Sequence, residues 1–219
     1  MTNLFSVFDP CTGSLSMNWI STLIFIMIMP YKYWILTNKL SWLINSTIKS
    51  LKMEMENLMP YKGSSLMFIS IMMFILINNL MGLLPYVFTS SAHLNFSLTI
   101  ALPLWLSFML YGWLNKYNKM FSHLLPVGTP PLLMPFMIMI ETISNIIRPG
   151  SLSVRLTANM IAGHLLMSLL GNNTTSIILM TSIMIIFITL MLFELAVAMI
   201  QAYVFMTLTT LYSSEVNYE

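Results

Sequence analysis

Arg148, Arg155, His164, Glu141 and Glu194 are the side chains in this sequence best equipped for chemistry, and all five sit in long apolar stretches. An ionised guanidinium at the centre of a membrane helix costs roughly 2.5–3.5 kcal/mol on insertion scales, so such a group normally faces a partner or water. Arg155 lies in the stretch RPGSLSVRLTANMIAGH, positions 148–164, with LSV before it and LLMSLL further on. Glu141, Arg148 and Arg155 recur at intervals of seven, which turns an α-helix by about 700° and returns within about 20° of the same face. The three charges form one stripe provided Pro149-Gly150 does not break the helical phase. Glu194, Gln201 and Glu215 keep the same register, with Leu208 filling the gap.

The two seams belong to two apolar segments. Between Pro131 and Leu170 the only charged residues are Glu141, Arg148 and Arg155, and between Ser176 and Leu211 the only one is Glu194. As helices, both would be about twice as long as the hydrocarbon is thick. Each is therefore either broken, with Pro149-Gly150 the candidate break, or strongly tilted. Gly171-Asn172-Asn173 reads as the turn of an antiparallel hairpin. In such a hairpin, residues at one depth have position numbers of nearly constant sum. Arg155 with Gln201 and His164 with Glu194 satisfy this to within two, around a turn centre several positions later than the obvious turn residues.

Each group carries a structural reading beside the chemical one. Arg155 could snorkel to a headgroup, and Arg148, beside the Pro-Gly pair, suits an interfacial anchor. His164 with Glu194 is either a buried structural hydrogen bond or a proton relay. Asn159 and Gln201 are neutral and able to bridge helices. His93, His123 and His164 lie in separate segments with no histidine partner one turn away, so no metal or haem site is expected. No glycine-rich phosphate loop occurs, so no nucleotide and no other cofactor is assigned to this chain.

The elements that must position these groups are membrane helices. The sequence is 58% hydrophobic and only 7% charged, far below the roughly one quarter charged residues of soluble domains. The formal charge of +2 is scattered, which excludes nucleic acid as a partner, and the lone Cys11 excludes an internal disulfide framework. The start MTNLFSVFDPCTG lacks a basic region followed by an apolar core, so no cleaved leader is expected. The pattern predicts a single all-α membrane domain: a transmembrane helix at 17–36, an amphipathic surface helix at 39–59, a transmembrane hairpin at 65–87 and 94–114, and a long, strongly tilted hairpin at 131–170 and 176–211. Five lysines (32, 39, 49, 52 and 62) precede the 65–87 span and Lys116 and Lys119 follow the 94–114 span, whereas the connection YVFTSSAHLN between them has neither Lys nor Arg. Both lysine-bearing regions therefore face the same side, with the N-terminus opposite if the first span crosses.

The segments SNIIRPGSLSVRLTANMIAGHLL, FELAVAMIQAYVFMTL and LYSSEVN, together with LPLWLSFMLYGWLNK and the early NLFSVFDP, closely resemble the a-subunit family of F-type ATP synthases in its mitochondrial form. The likeness covers almost the whole chain. It implies a multi-pass stator subunit of the membrane Fo sector in the mitochondrial inner membrane, with protons, lipids, a ring of c subunits and other Fo and peripheral-stalk subunits as partners. Arg155 would face the ring carboxylate. His164, Glu194, Asn159 and Gln201 would line a half-channel from the intermembrane space, and Glu141 and Glu215 the matrix half-channel, with Arg148 left structural or unassigned. In bacterial relatives a carboxylate and a histidine stand in the reverse arrangement at the positions of His164 and Glu194, in keeping with these two being neighbours. Two rivals remain: a self-contained secondary transporter, which should show an inverted repeat, although the first half has no intramembrane charge to match Arg155, and a structural subunit of a respiratory complex, in which the seam residues would be replaceable.

Overall fold

The computed structural model describes residues 4–13, 15–29, 38–59, 63–125, 130–172 and 177–217. Among them every regular element is helical. A 3-10 turn at Leu4–Phe8 is followed by a second at Met17–Leu23 that runs into α1, Ile24–Ile28. Then come α2 (Lys39–Leu58), α3 (Ser64–Gly82), a 3-10 turn at Ser90–Ala92, α4 (Leu94–Asn115), α5 (Tyr117–His123), α6 (Met134–Asn172) and α7 (Ile177–Asn217). Among the described residues four helices, α3, α4, α6 and α7, are long and apolar enough to cross a membrane. The chain is an all-α, multi-pass membrane protein. Of the stretch expected as the first span, 17–36, the described part holds an apolar helical run at Met17–Ile28, and residues 30–36 lie outside the described part.

The two long helices depart from ordinary lengths for a visible reason. α6 passes unbroken through Pro149 for 39 residues, and α7 extends over 41. At 1.5 Å per residue each is roughly 60 Å long, so the excess over about 30 Å of hydrocarbon must be taken up by inclination or by ends standing in the interface. Pro149 removes one backbone donor and leaves the Asn145 carbonyl without its intrahelical partner, yet α6 continues through it. Of the two readings left by the sequence, a break at Pro149-Gly150 is thus set aside.

The core lies where α3 packs on α7 and α4 on α6, the two most extensive helix contacts. On α7 the inward face presents Ala198, Ala202, Phe205, Met206, Thr209, Thr210 and Ser213, nearly all small or flexible. Small residues let two backbones approach closely, which is the main source of helix adhesion in lipid. Phe68, Ile69, Met72 and Ile75 of α3 meet Ala202, Phe205 and Met206, with Leu152 and Leu156 of α6 and Ala101 and Leu104 of α4 completing the cluster. The second half of α2 docks here through Met55, and Met59 just past its end, while its first half leaves Leu40, Trp42 and Leu43 exposed, as befits a helix lying on a membrane surface. Outward, α6 and α7 show Ile143, Val154, Leu166, Leu192 and Leu195, so the surface of the long hairpin is apolar.

Candidate functional site

Because α6 is unbroken, Glu141, Arg148 and Arg155 do share one side of it, and the structure gives each a different fate. Arg148 donates to Glu215 on α7, Nη1 to Oε2 at 2.6 Å, and its Nη2 stands 3.9 Å from Glu141 Oε1. Its guanidinium also lies over the Tyr212 ring, 5.1 Å from the centroid, a cation–π contact. One arginine therefore holds two carboxylates from two helices. The cluster lines a cavity of about 520 Å³ whose other walls include Trp105, Trp113 and Asn145. Glu141, Arg148 and Glu215 remain partly exposed, so the pairing is an accessible polar site.

Arg155, two turns further on, has no acid. Leu152, Ser153, Leu156 and Thr157 point into the core, whereas Val154, Arg155 and Ala158 are exposed on the outer face of α6. Among the described residues no ion pair involves Arg155. Glu141 and Glu215 are held by Arg148, and a permanent charge on the outer surface of a membrane helix normally faces a partner or water.

Deeper along the hairpin, Glu194 is buried at 9% exposure and packs its carboxyl group directly on Gly163. A Cβ at position 163 would come within 2.6 Å of Glu194 Cδ and within 2.8 and 2.9 Å of its oxygens, so only glycine leaves the carboxyl group this place. The pairing of position 163 with 194 falls between the two constant sums read from the sequence. Glu194, Asn159 and Gln201 line one cavity of about 330 Å³, and Asn79 of α3 closes it with a side chain 1% exposed. His164 is turned away from that cavity. Its ring lies beside the backbone of Gly82 at the end of α3 and meets the Phe8 ring edge-on with centroids 6.2 Å apart. No hydrogen bond between His164 and Glu194 is seen; they flank the same point on α6 on either side of Gly163. Both Glu194 oxygens, His164 Nε2 and both polar atoms of the Asn79 amide are buried without a partner. Groups of that kind in a native interior are met by water or by a proton donor.

Residues 15–214 match the family described as ATP synthase A chain. The chain belongs to that family. Subunit a of the ATP synthase of Aedes aegypti is 56% identical to it over 225 aligned positions, covering 99% of this chain and all of the relative. The corresponding subunits of Drosophila melanogaster and Anopheles gambiae are 55% and 54% identical, again over 99% of this chain and their whole length. An ATP synthase A chain is a membrane-embedded subunit of an enzyme complex. Within this A chain, Asn79 is the cavity residue that sequence periodicity passes over, although an Asn-Asn pair inside the apolar run FILINNLMG was a signal. Arg148 is the other: its two acid partners become evident only once α7 is laid against α6.

Proposed function

We propose that this A chain carries protons across the mitochondrial inner membrane in two half-channels that meet a rotating ring of c subunits, and that Arg155 is the charge at their junction. The observation that carries the proposal is the contrast between the two arginines: Arg148 is paired with Glu215 and Glu141, while Arg155 stands exposed on the outer face of α6. A carboxylate on the ring supplies the charge that Arg155 lacks. Protonated, that acid can travel through lipid; ionised, it is too costly to expose there and stays beside the guanidinium. Arginine suits the position because its pKa stays above about 12, so it keeps its charge where a lysine can lose it. The same charge repels a proton crossing directly from one half-channel to the other, which forces proton flow to turn the ring.

The cavity of Asn79, Asn159, Glu194 and Gln201, with His164 beyond Gly163, is the intermembrane-space half-channel in this reading. The cavity of Glu141, Arg148 and Glu215 is the matrix half-channel. They lie at opposite ends of the seam with Arg155 between them in sequence along α6, the order the mechanism requires. Other Fo subunits, the peripheral stalk and membrane lipids cover the remaining apolar surface.

Cysteine cross-linking to the ring tests the geometry. Ala158→Cys, on the exposed face beside Arg155, should cross-link to a cysteine placed near the ring carboxylate, and Ser65→Cys, 1% exposed against the core, should not. Absence of the first cross-link in assembled complex would place the rotor on another face and remove the role assigned to Arg155.

A further inference from the structure

The turn between α3 and α4 holds more unpartnered polar groups than a simple connection should. The 3-10 turn Ser90–Ala92 is wedged among α3, α4 and α6, and Thr89 and Ser91 beside and within it are 1% and 0% exposed. Neither hydroxyl has a hydrogen-bond partner, and neither has His93 Nε2, whose ring lies between Trp19 and Phe88 with centroids 5.2 Å away on both sides. Elsewhere in the chain a buried serine or threonine bonds back to a carbonyl three or four positions earlier, as Ser97, Ser153 and Thr157 do. A polar group left unmatched in the interior bears its full desolvation penalty, so native structures bring water to it.

These groups are contiguous with the cavity of Glu194. The Thr89 methyl group lies 3.3 Å from where a Cβ on Gly82 would stand, so it rests on that glycine. The backbone of the same Gly82 lies beside the His164 ring. His164 adjoins Gly163, on which Glu194 lies, and Asn79 is one turn back along α3. The N-terminal segment roofs the arrangement: Phe8 meets His164, Trp19 meets His93, and the Ser21 hydroxyl donates to the Phe88 carbonyl. The turn lies on the side of the membrane away from the lysines, the side from which protons enter.

We propose that His93, Ser91 and Thr89 form the mouth of the proton path, carrying a short file of water from the α3–α4 turn past Gly82 to His164 and Glu194. This rests on the half-channel reading of the Glu194 cavity. A hydroxyl accepts one hydrogen bond and donates the next, so a proton arriving at the turn releases one towards His164 with no net charge left behind. The occupant is water and the cargo a proton.

The test uses assembled ATP synthase in inner-membrane vesicles, with Thr89→Val and Ser91→Ala combined and Glu194→Gln as reference. The double variant keeps side-chain volume and removes both hydroxyls, and it should lower passive and ATP-driven proton conduction about tenfold, the factor that roughly 1.4 kcal/mol on a barrier produces. In a Cys11→Ser background, Ser91→Cys should make conduction sensitive to silver ion added from the intermembrane-space side, a readout that packing alone would not move and that also serves if the double variant assembles poorly. Parental conduction in the double variant, or no silver sensitivity in Ser91→Cys, with Glu194→Gln impaired, overturns the mouth and leaves the half-channel standing. Parental conduction in Glu194→Gln overturns the half-channel and the mouth with it.

Discussion

Replacing Gly163 by alanine perturbs the Glu194 site by a single methyl group. The added Cβ would lie 2.6 Å from Glu194 Cδ, where ordinary contact begins at 3.4 Å, so the carboxyl group must retreat by about 0.8 Å or swing out of its place. A misplacement on the order of 1 Å can cost a positioned reacting group about a hundredfold in rate, and on the proposed half-channel reading the Glu194 carboxyl group is such a group. Helix stability should not suffer, because alanine is favoured over glycine inside a helix by about 1 kcal/mol. Proton pumping should therefore fall 10- to 100-fold (roughly, from that same displacement) while native electrophoresis still finds the assembled complex. Gly150→Ala and Gly171→Ala are the controls, since a Cβ at either position meets nothing within 4 Å, and both should pump normally. Parental pumping in Gly163→Ala would refute the reasoning, because it would mean that the place of the Glu194 carboxyl group has no bearing on proton flow.

Three further outcomes follow from other parts of the structure. Arg148→Gln releases Glu141 and Glu215 from their shared partner and should slow proton release at the matrix end, seen as reduced ATP synthesis with the complex assembled; unchanged synthesis would reduce Arg148 to an anchor. Ala202→Leu overfills a position 0% exposed between α3 and α7 and should destabilise the subunit by about 1–3 kcal/mol, read as lower thermal stability of the complex in detergent. Cys11 is exposed, and a hydrogen bond with Asp9, reinforced by that carboxylate's charge, raises its thiol pKa above the ordinary range. Since only the thiolate reacts, a membrane-impermeant maleimide should label it slowly at neutral pH and faster as pH rises, and Asp9→Asn should speed labelling at neutral pH.

Much of this architecture was legible in one sequence because membranes constrain it so tightly. Length and apolarity alone mark the segments that become α3, α4, α6 and α7, and the seven-residue recurrence puts Glu141, Arg148 and Arg155 on one side of α6 before any coordinates. What the recurrence could not decide was whether Pro149 breaks that phase, since an interior proline can end a helix, kink it or be carried within it, and the structure shows α6 continuous through it. Constant position sums bring His164 and Glu194 to one level. They are blind to direction around a helix, and the structure turns His164 towards Gly82 while Glu194 takes the Gly163 side. Thr89 and Ser91 carry no charge and follow no period, so what sets them apart is burial without partners. Arg148 was left unassigned for a similar reason: an ion pair between residues 67 positions apart exists only in three dimensions.

The central claim is that Arg155 couples proton flow to rotation, and its most direct test is Arg155→Ala in assembled complex, with ATP synthesis and passive proton conduction measured on the same inner-membrane vesicles. Synthesis should be lost while protons still leak between the half-channels without turning the ring. Intact synthesis, with proton flow still coupled to it, would contradict the role of Arg155.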